Sequence, residues 1–291
     1  MKVTSHGYAA ELPADNADTR SALYAGQLYH HASTAASRAL VDDVHGLLAE
    51  QFGALDARYA QAELAEAEFF ARIGRIRKRL FEDPHFHDRA FAVAESMGFA
   101  RDEVAFDPLR LRVVSHDGHH NVRAAPIYYP HRDTWFALSR SVIACWVAVH
   151  DIAPTETFEV YPEWLERPVG NTSEHFDYDR WVRDHRSLRI GWQDQDAGKE
   201  VHYSGTREVF SPGVTVPLAA ERGDVVLFSG AHLHKTRENT AGYTRYSLDF
   251  RMVHKADHYA GRGPANVDNR STGDATRDYV GITPRPSAQA G

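Results

Sequence analysis

The hydrophobic period of the chain changes near Phe99, and that change limits the folds open to it. Before it, apolar residues recur every three or four positions. Leu40, Val44, Leu47 and Leu48 share one helical face, and Gly53 follows as a stop. Phe69, Ile73, Ile76 and Leu80 repeat in a stretch rich in Ala, Glu and Arg. Asp83-Pro84 supplies an N-cap carboxylate and then proline at the first helical position, and Ala90, Phe91, Ala94 and Met97 carry that helix to Gly98. After Phe99 the segments are short and β-branched: 109–114, 124–129, 142–149, 156–161, 214–218, 224–229 and 244–253, with Gly and Pro between them. Helices followed by a run of strands predict a mainly β domain with a helical N-terminal layer, an α+β arrangement built on a sandwich or barrel.

With 43% hydrophobic and 25% charged residues, the 291-residue chain can bury one large core. The expected organisation is a single domain over 1–291. A helical buttress spans 18–98, a β core 107–253, a lid-like insertion 162–204, and a Gly- and Pro-rich tail 256–291. The insertion is polar but carries Trp164, Phe176, Tyr178, Trp181 and Trp192, which argues against plain disorder. The tail leaves room for wrapping the domain or for a homodimer. A net charge of −7 argues against nucleic acid or an anionic membrane as partner. The single cysteine, Cys145, excludes an intrachain disulfide and points to the cytoplasm. The N-terminus lacks the apolar core of a signal peptide, and no stretch approaches the roughly 20 apolar residues of a membrane helix.

The chain has 18 histidines, which favour a metal site and also multiply accidental motifs. His131-Arg-Asp133 precedes the buried run 142–149, and residues two apart on an extended segment point the same way. About one His-x-Asp is expected by chance. A second, His175-Phe-Asp177, lies in the polar insertion with no strand around it. The distal segment FSGAHLHKTRENTAGYTRYSLDFR offers His232 or His234 as a further ligand, both read on one strand face. Two imidazoles and one carboxylate on one face of a metal are the donor set of non-haem Fe(II) oxygenases. Arg245 follows in the next strand, with Ser247 on its face and Thr236 on that of His234; a planar, always-charged guanidinium there suits a buried carboxylate. His116-Asp-Gly-His-His120 reads as a polar loop, because Asp-Gly signals a turn. Arg251 shares the face of Arg245 but is read as further from the metal end. His-Arg-Asp also occurs in protein kinases, but the downstream Asn, the Gly-rich loop and Asp-Phe-Gly are missing.

Over roughly 107–253 the chain resembles the phytanoyl-CoA dioxygenase-like branch of the Fe(II)/2-oxoglutarate oxygenases. That family has an early His-x-Asp, then a His followed by a small hydroxyl residue, an Asn and an Arg. His234, Thr236, Asn239 and Arg245 stand at those offsets, which selects His234 over His232. The resemblance implies a double-stranded β-helix (jelly roll, cupin-like) and Fe(II) held by His131, Asp133 and His234. It further implies 2-oxoglutarate as co-substrate with O2, and oxidation of a small-molecule substrate with release of succinate and CO2. Arg245 and Thr236, with Ser247, would bind the distal carboxylate of 2-oxoglutarate, and Trp146 would line that pocket. Because Asp133 is a carboxylate, no ligand position is left for a halide, so hydroxylation is expected over halogenation. Two other readings stand beside this one. A cupin-like metal enzyme without 2-oxoglutarate would leave Arg245 without a partner. A non-catalytic β-helix binding protein would have no use for an intact triad.

Overall fold

The computed structural model describes residues 7–121, 125–185, 203–207 and 210–282; part of the expected insertion, with Trp192, and the end of the tail lie outside them. Local sequence explains where the helices begin and end. Helix α1 (Asn16–Tyr24) is capped by the Asp15 side chain. Thr34 and Ser37 cap α2 (Ala35–Phe52) reciprocally, and Gly53 ends it with φ at +62°. The short α3 (Ala60–Glu63) leads to α4 (Glu66–Glu82), which buries Phe69, Ile73, Ile76 and Leu80 on one face. Asp83 accepts from the His85 backbone N–H at 3.0 Å and starts α5 (Pro84–Ser96) with proline in its first turn.

The strands are β1 (Tyr8–Ala9), β2 (Leu28–His31), β3 (Val104–Phe106), β4 (Arg110–Val114), β5 (Ile143–Ala148), β6 (Phe158–Tyr161), β7 (Val216–Pro217), β8 (Val225–Ser229), β9 (Leu233–Thr236) and β10 (Arg245–His254). They form a larger sheet ordered β1-β2-β8-β5-β10-β3, with β4 also paired to β10, and a smaller sheet ordered β7-β6-β9. Strand alternation sorts the side chains into two layers. Ile143, Cys145 and Val147 of β5, Val225 and Leu227 of β8, and Leu248, Phe250 and Met252 of β10 pack with the helices. Ala144, Trp146, Ala148, Val226 and Phe228 pack instead with Phe158, Val160 and Val216 of the smaller sheet. Strand β5, covered on both faces, is buried at all six positions, which is why its sequence is continuously apolar. The opposite face of β10 carries Arg245, Ser247, Asp249 and Arg251. The molecule is therefore a mixed helix-and-sheet structure with a polar stripe turned toward the space between the sheets.

Three expectations are corrected. The segment read as a purely helical buttress contains β2, antiparallel to β8 with Tyr29 opposite Leu227; four residues are too few for a period to register. Residues 125–128 form a 3-10 turn rather than an extended run, and proline's fixed φ suits such a turn as well as a strand. The strand expected at 214–218 shrinks to two residues, because Pro217 has no N–H to extend the ladder. Among the described residues no helix is long and apolar enough to cross a membrane.

Candidate metal centre and its cavity

His131 and His234 meet across an isolated antiparallel bridge, N–H to carbonyl in both directions at 2.9 and 3.0 Å. Those bonds set the imidazoles side by side, with ring centroids 4.4 Å apart. Asp133 opens the 3-10 turn Asp133–Phe136 two residues on. One donor atom from each of His131, Asp133 and His234 lies within 4.8 Å of the others. The backbone also sets the tautomers. His131 Nδ1 faces the Tyr129 carbonyl at 2.9 Å, and His234 Nδ1 faces the His232 carbonyl at 3.0 Å. Each Nδ1 thus carries the proton and donates, and each Nε2 keeps its lone pair. Burial, reinforced by His234, takes His131 down to about 3, and burial lowers His234 as well. Burial works to raise Asp133, but Arg251 and the two histidines outweigh it and hold the carboxyl at about 2. Two neutral imidazoles and an ionised carboxylate form a donor set that fits a ferrous ion.

His232 belongs elsewhere, and the reading that put it on the face of His234 is corrected. The chain turns at 230–232 before β9 begins, so the two rings part. His232 is buried, with Nδ1 3.1 Å from the Ser229 carbonyl and Nε2 3.3 Å from the Gly26 carbonyl. Asp177 of the second His-x-Asp caps α6 (Tyr178–His185), accepting from the Arg180 N–H at 2.7 Å, while His175 is exposed. Asp117, His119 and His120 also bring donor atoms within 4.8 Å of one another. They sit on the expected polar turn, with Asp117 and His120 exposed to competing water. Asn239 is structural: its Nδ2 donates to the Val114 and Tyr243 carbonyls at 2.8 and 2.7 Å and shapes the turn into β10.

Arg245, Thr236 and Trp146 line one cavity with the three candidate ligands, about 320 Å³ in volume. Arg245 is 2% exposed, and its Nη1 donates to Ser247 Oγ at 2.7 Å. Among the described residues its Nε has no hydrogen-bond partner and no carboxylate forms an ion pair with it. Burial lowers this guanidinium to about 10, so it remains charged at neutral pH. A buried guanidinium with an open Nε and no carboxylate in direct contact among the described residues fits a ligand carboxylate.

Arg251, expected further from the metal end, instead touches Asp133: its Nε donates to Oδ1 at 2.8 Å. Strand β10 runs so that residue 251, not 245, reaches the His-x-Asp segment, an end-to-end sense that parity of facing cannot reveal. The middle residue of the motif was also missed. Arg132 is 1% exposed and donates to the Trp164, Leu165, Arg167 and Ala231 carbonyls and to Asp268. It ties the motif to the insertion and to the tail, which here folds back on the chain. Nothing in the sequence marks this arginine as buried. Tyr128 was missed for the same reason; its hydroxyl is buried without a partner among the described residues, near enough to Arg245 to feel its charge.

Gly230 lets β8 pass close to the motif. A Cβ there would overlap the Val142 side chain and stand 3.1 Å from Asp133 Cβ. Gly230→Ala is expected to cost about 1–3 kcal/mol of stability and to weaken metal binding by displacing Asp133. Thermal melts and metal titration together check this; unchanged metal affinity would contradict it.

The sequence profile of phytanoyl-CoA dioxygenase (PhyH) matches residues 32–247, about three quarters of the chain. No curated protein sequence matches. Among solved structures, EvdO2 from Micromonospora carbonacea var. aurantiaca, complexed with 2-oxoglutarate, is similar at 13% identity and a TM-score of 0.49, over 84% of this chain and 94% of that one. The epimerase SnoN, in complex with Fe3+, alpha ketoglutarate and nogalamycin RO, is similar at 17% identity and a TM-score of 0.42, over 82% and 84%. AviO1 from Streptomyces viridochromogenes is similar at 12% identity and 0.39, over 84% and 96%. On the length of the profile match, the chain belongs to the phytanoyl-CoA dioxygenase family of iron- and 2-oxoglutarate-dependent oxygenases.

Proposed function

We propose that the chain hydroxylates a small molecule, holding Fe(II) through His131, Asp133 and His234 and the distal carboxylate of 2-oxoglutarate through Arg245, Thr236 and Ser247. The observation that carries this reading is the convergence of the three donor atoms in a cavity that also contains a buried guanidinium with no carboxylate in ion-pair contact among the described residues. In this reading the two facing sheets form a double-stranded β-helix, the chain works as a single domain, and Trp146 walls the 2-oxoglutarate pocket. Residues 162–185 cover the cavity as a lid, since Phe176, Tyr178 and Trp181 line it. Iron and 2-oxoglutarate, when bound, would supply the electrons that activate O2 as the oxidant. The protein's own part is orientation and exclusion of water. Backbone carbonyls aim both Nε2 atoms, Arg251 fixes one oxygen of Asp133, Arg245 aligns the co-substrate, and the aromatic side chains keep the reacting atoms dry. A buried reduced Cys145 suits a cytoplasmic enzyme. A cupin-like enzyme without 2-oxoglutarate leaves Arg245 buried with no purpose.

Anaerobic addition of Fe(II) and 2-oxoglutarate should produce the visible charge-transfer band of the chelate. Metal binding without that band excludes the 2-oxoglutarate reading, and no metal binding at all excludes catalysis of this type.

A further inference from the structure

Beyond the co-substrate pocket, the cavity has two contrasting walls, and each begins at a candidate metal ligand. The polar wall begins at Asp133. Arg251 joins Asp133 at 2.8 Å to Asp107 at 3.3 Å and to Asp249 at 3.9 Å. Asp249 is in turn held by both Nε and Nη2 of Arg112, at 2.8 and 2.7 Å, and Arg110 reaches Asp107 at 3.3 Å. Every charge on this ladder is matched by its opposite. The other wall is aromatic and begins at His131, whose ring meets Phe136 edge-on at 5.9 Å. Phe136 meets Phe176 at 5.3 Å, and Trp181 stacks with Tyr178 at 6.0 Å. Tyr279 also lines the cavity, and its buried hydroxyl has no hydrogen-bond partner among the described residues. Burial raises that phenol, so it stays a neutral donor and acceptor.

We propose that this outer chamber takes an uncharged ring bearing hydroxyl groups, with its flat face on the aromatic wall and its hydroxyls on the Arg–Asp ladder and Tyr279. The inference rests on the oxygenase reading and deepens it. An anion such as a carboxylate or an acyl-CoA would find no spare cation on the ladder and would have to displace an aspartate from its arginine. Neutral hydroxyls both donate and accept, so they can bridge an intact ion pair without breaking it. An aromatic surface rewards the C–H face of such a ring, and it covers the ring from water.

The test uses full-length protein with Fe(II) and 2-oxoglutarate under anaerobic conditions, reading perturbation of the chelate band. Phenyl β-glucoside and phenyl β-glucuronide are a matched pair that differ by one carboxylate, and an acyl-CoA is the third probe. The glucoside is expected to bind at least ~tenfold tighter than the glucuronide. A smaller difference, a preference for the glucuronide or the acyl-CoA, or no perturbation by the glucoside at ~10 mM overturns the proposal. Asp249→Asn frees Arg112 and is expected to abolish or reverse the preference, while an unchanged preference counts against the ladder. If no chelate band forms, the oxygenase reading itself has failed, which a missing glucoside response alone would not show.

Discussion

Asp133→Ala is expected to lower Fe(II) affinity by at least ~10³-fold and to abolish 2-oxoglutarate decarboxylation. Two effects act together. The variant removes the single carboxylate of a three-donor set, and it leaves the Arg251 guanidinium facing the site with its charge no longer offset by Asp133. The dication would then be repelled where it was previously attracted, so the loss should exceed that of one ligand. Arg251→Ala in the Asp133→Ala background removes the repelling charge and should recover part of the affinity, which separates the two effects. Stability should also fall, by about 3 kcal/mol, since half of a buried pair is removed; Arg251 keeps Asp107 at 3.3 Å, so the fold should persist. The pH sign follows from the depressed Asp133 carboxyl. In the metal-free protein its pairing stabilises the fold above the ordinary carboxylate range and is lost as pH falls toward about 2. The mutational cost should therefore be full at pH 7 and shrink in acid. Anaerobic metal titration, with Co(II) as a check, and thermal melts across pH measure all of this. Undiminished turnover would mean that the carboxylate ligand was misassigned.

What could be read from the sequence tracks what short-range physics encodes. The periodicity at Phe69, Ile73, Ile76 and Leu80 predicts a helix because a packed face imposes that spacing, and these four are the buried apolar residues of α4. VIACWVAV predicts a doubly covered strand for the same kind of reason, and β5 is covered on both sides. That His234, Thr236 and Arg245 share one cavity was legible through fixed offsets along β9 and β10. Strand β2 was not legible, since its partner β8 lies almost 200 residues away and four residues show no pattern. Arg251 and Arg132 were misread or missed because an arginine looks the same in sequence whether it is solvated or buried at an ion pair. Only the register of β10 on β5, with Arg251 opposite Ala144, brings the first of them to Asp133. Tyr279 was invisible for a similar reason: it joins Phe136 and Phe176 at the cavity from a separate segment, and their meeting is a property of the whole fold.

Arg245→Leu should raise the dissociation constant for 2-oxoglutarate by ~10²–10³-fold while leaving metal content unchanged. The guanidinium is 2% exposed, its Nε lacks a partner among the described residues, and its Nη1 is engaged by a neutral hydroxyl, Ser247 Oγ, at 2.7 Å. Burial already lowers it to about 10, a sign that the folded protein bears an electrostatic cost for keeping it charged. A residue kept for stability would not be left in that state. Replacement by leucine removes the cost, so the ligand-free variant should melt at the same temperature as the native protein or higher. Affinity and stability are thus expected to move in opposite directions, which a purely structural arginine would not produce. Arg245→Lys tests the geometry as well as the charge. A lysine ammonium is a point donor and cannot form the planar, two-pronged contact, so it should recover only part of the lost affinity. Titration of the anaerobic chelate band gives the dissociation constants, and calorimetric melts give the stability. Equal 2-oxoglutarate affinity in Arg245→Leu, or a large drop in ligand-free melting temperature, would show that this guanidinium serves the fold and that the co-substrate is held elsewhere.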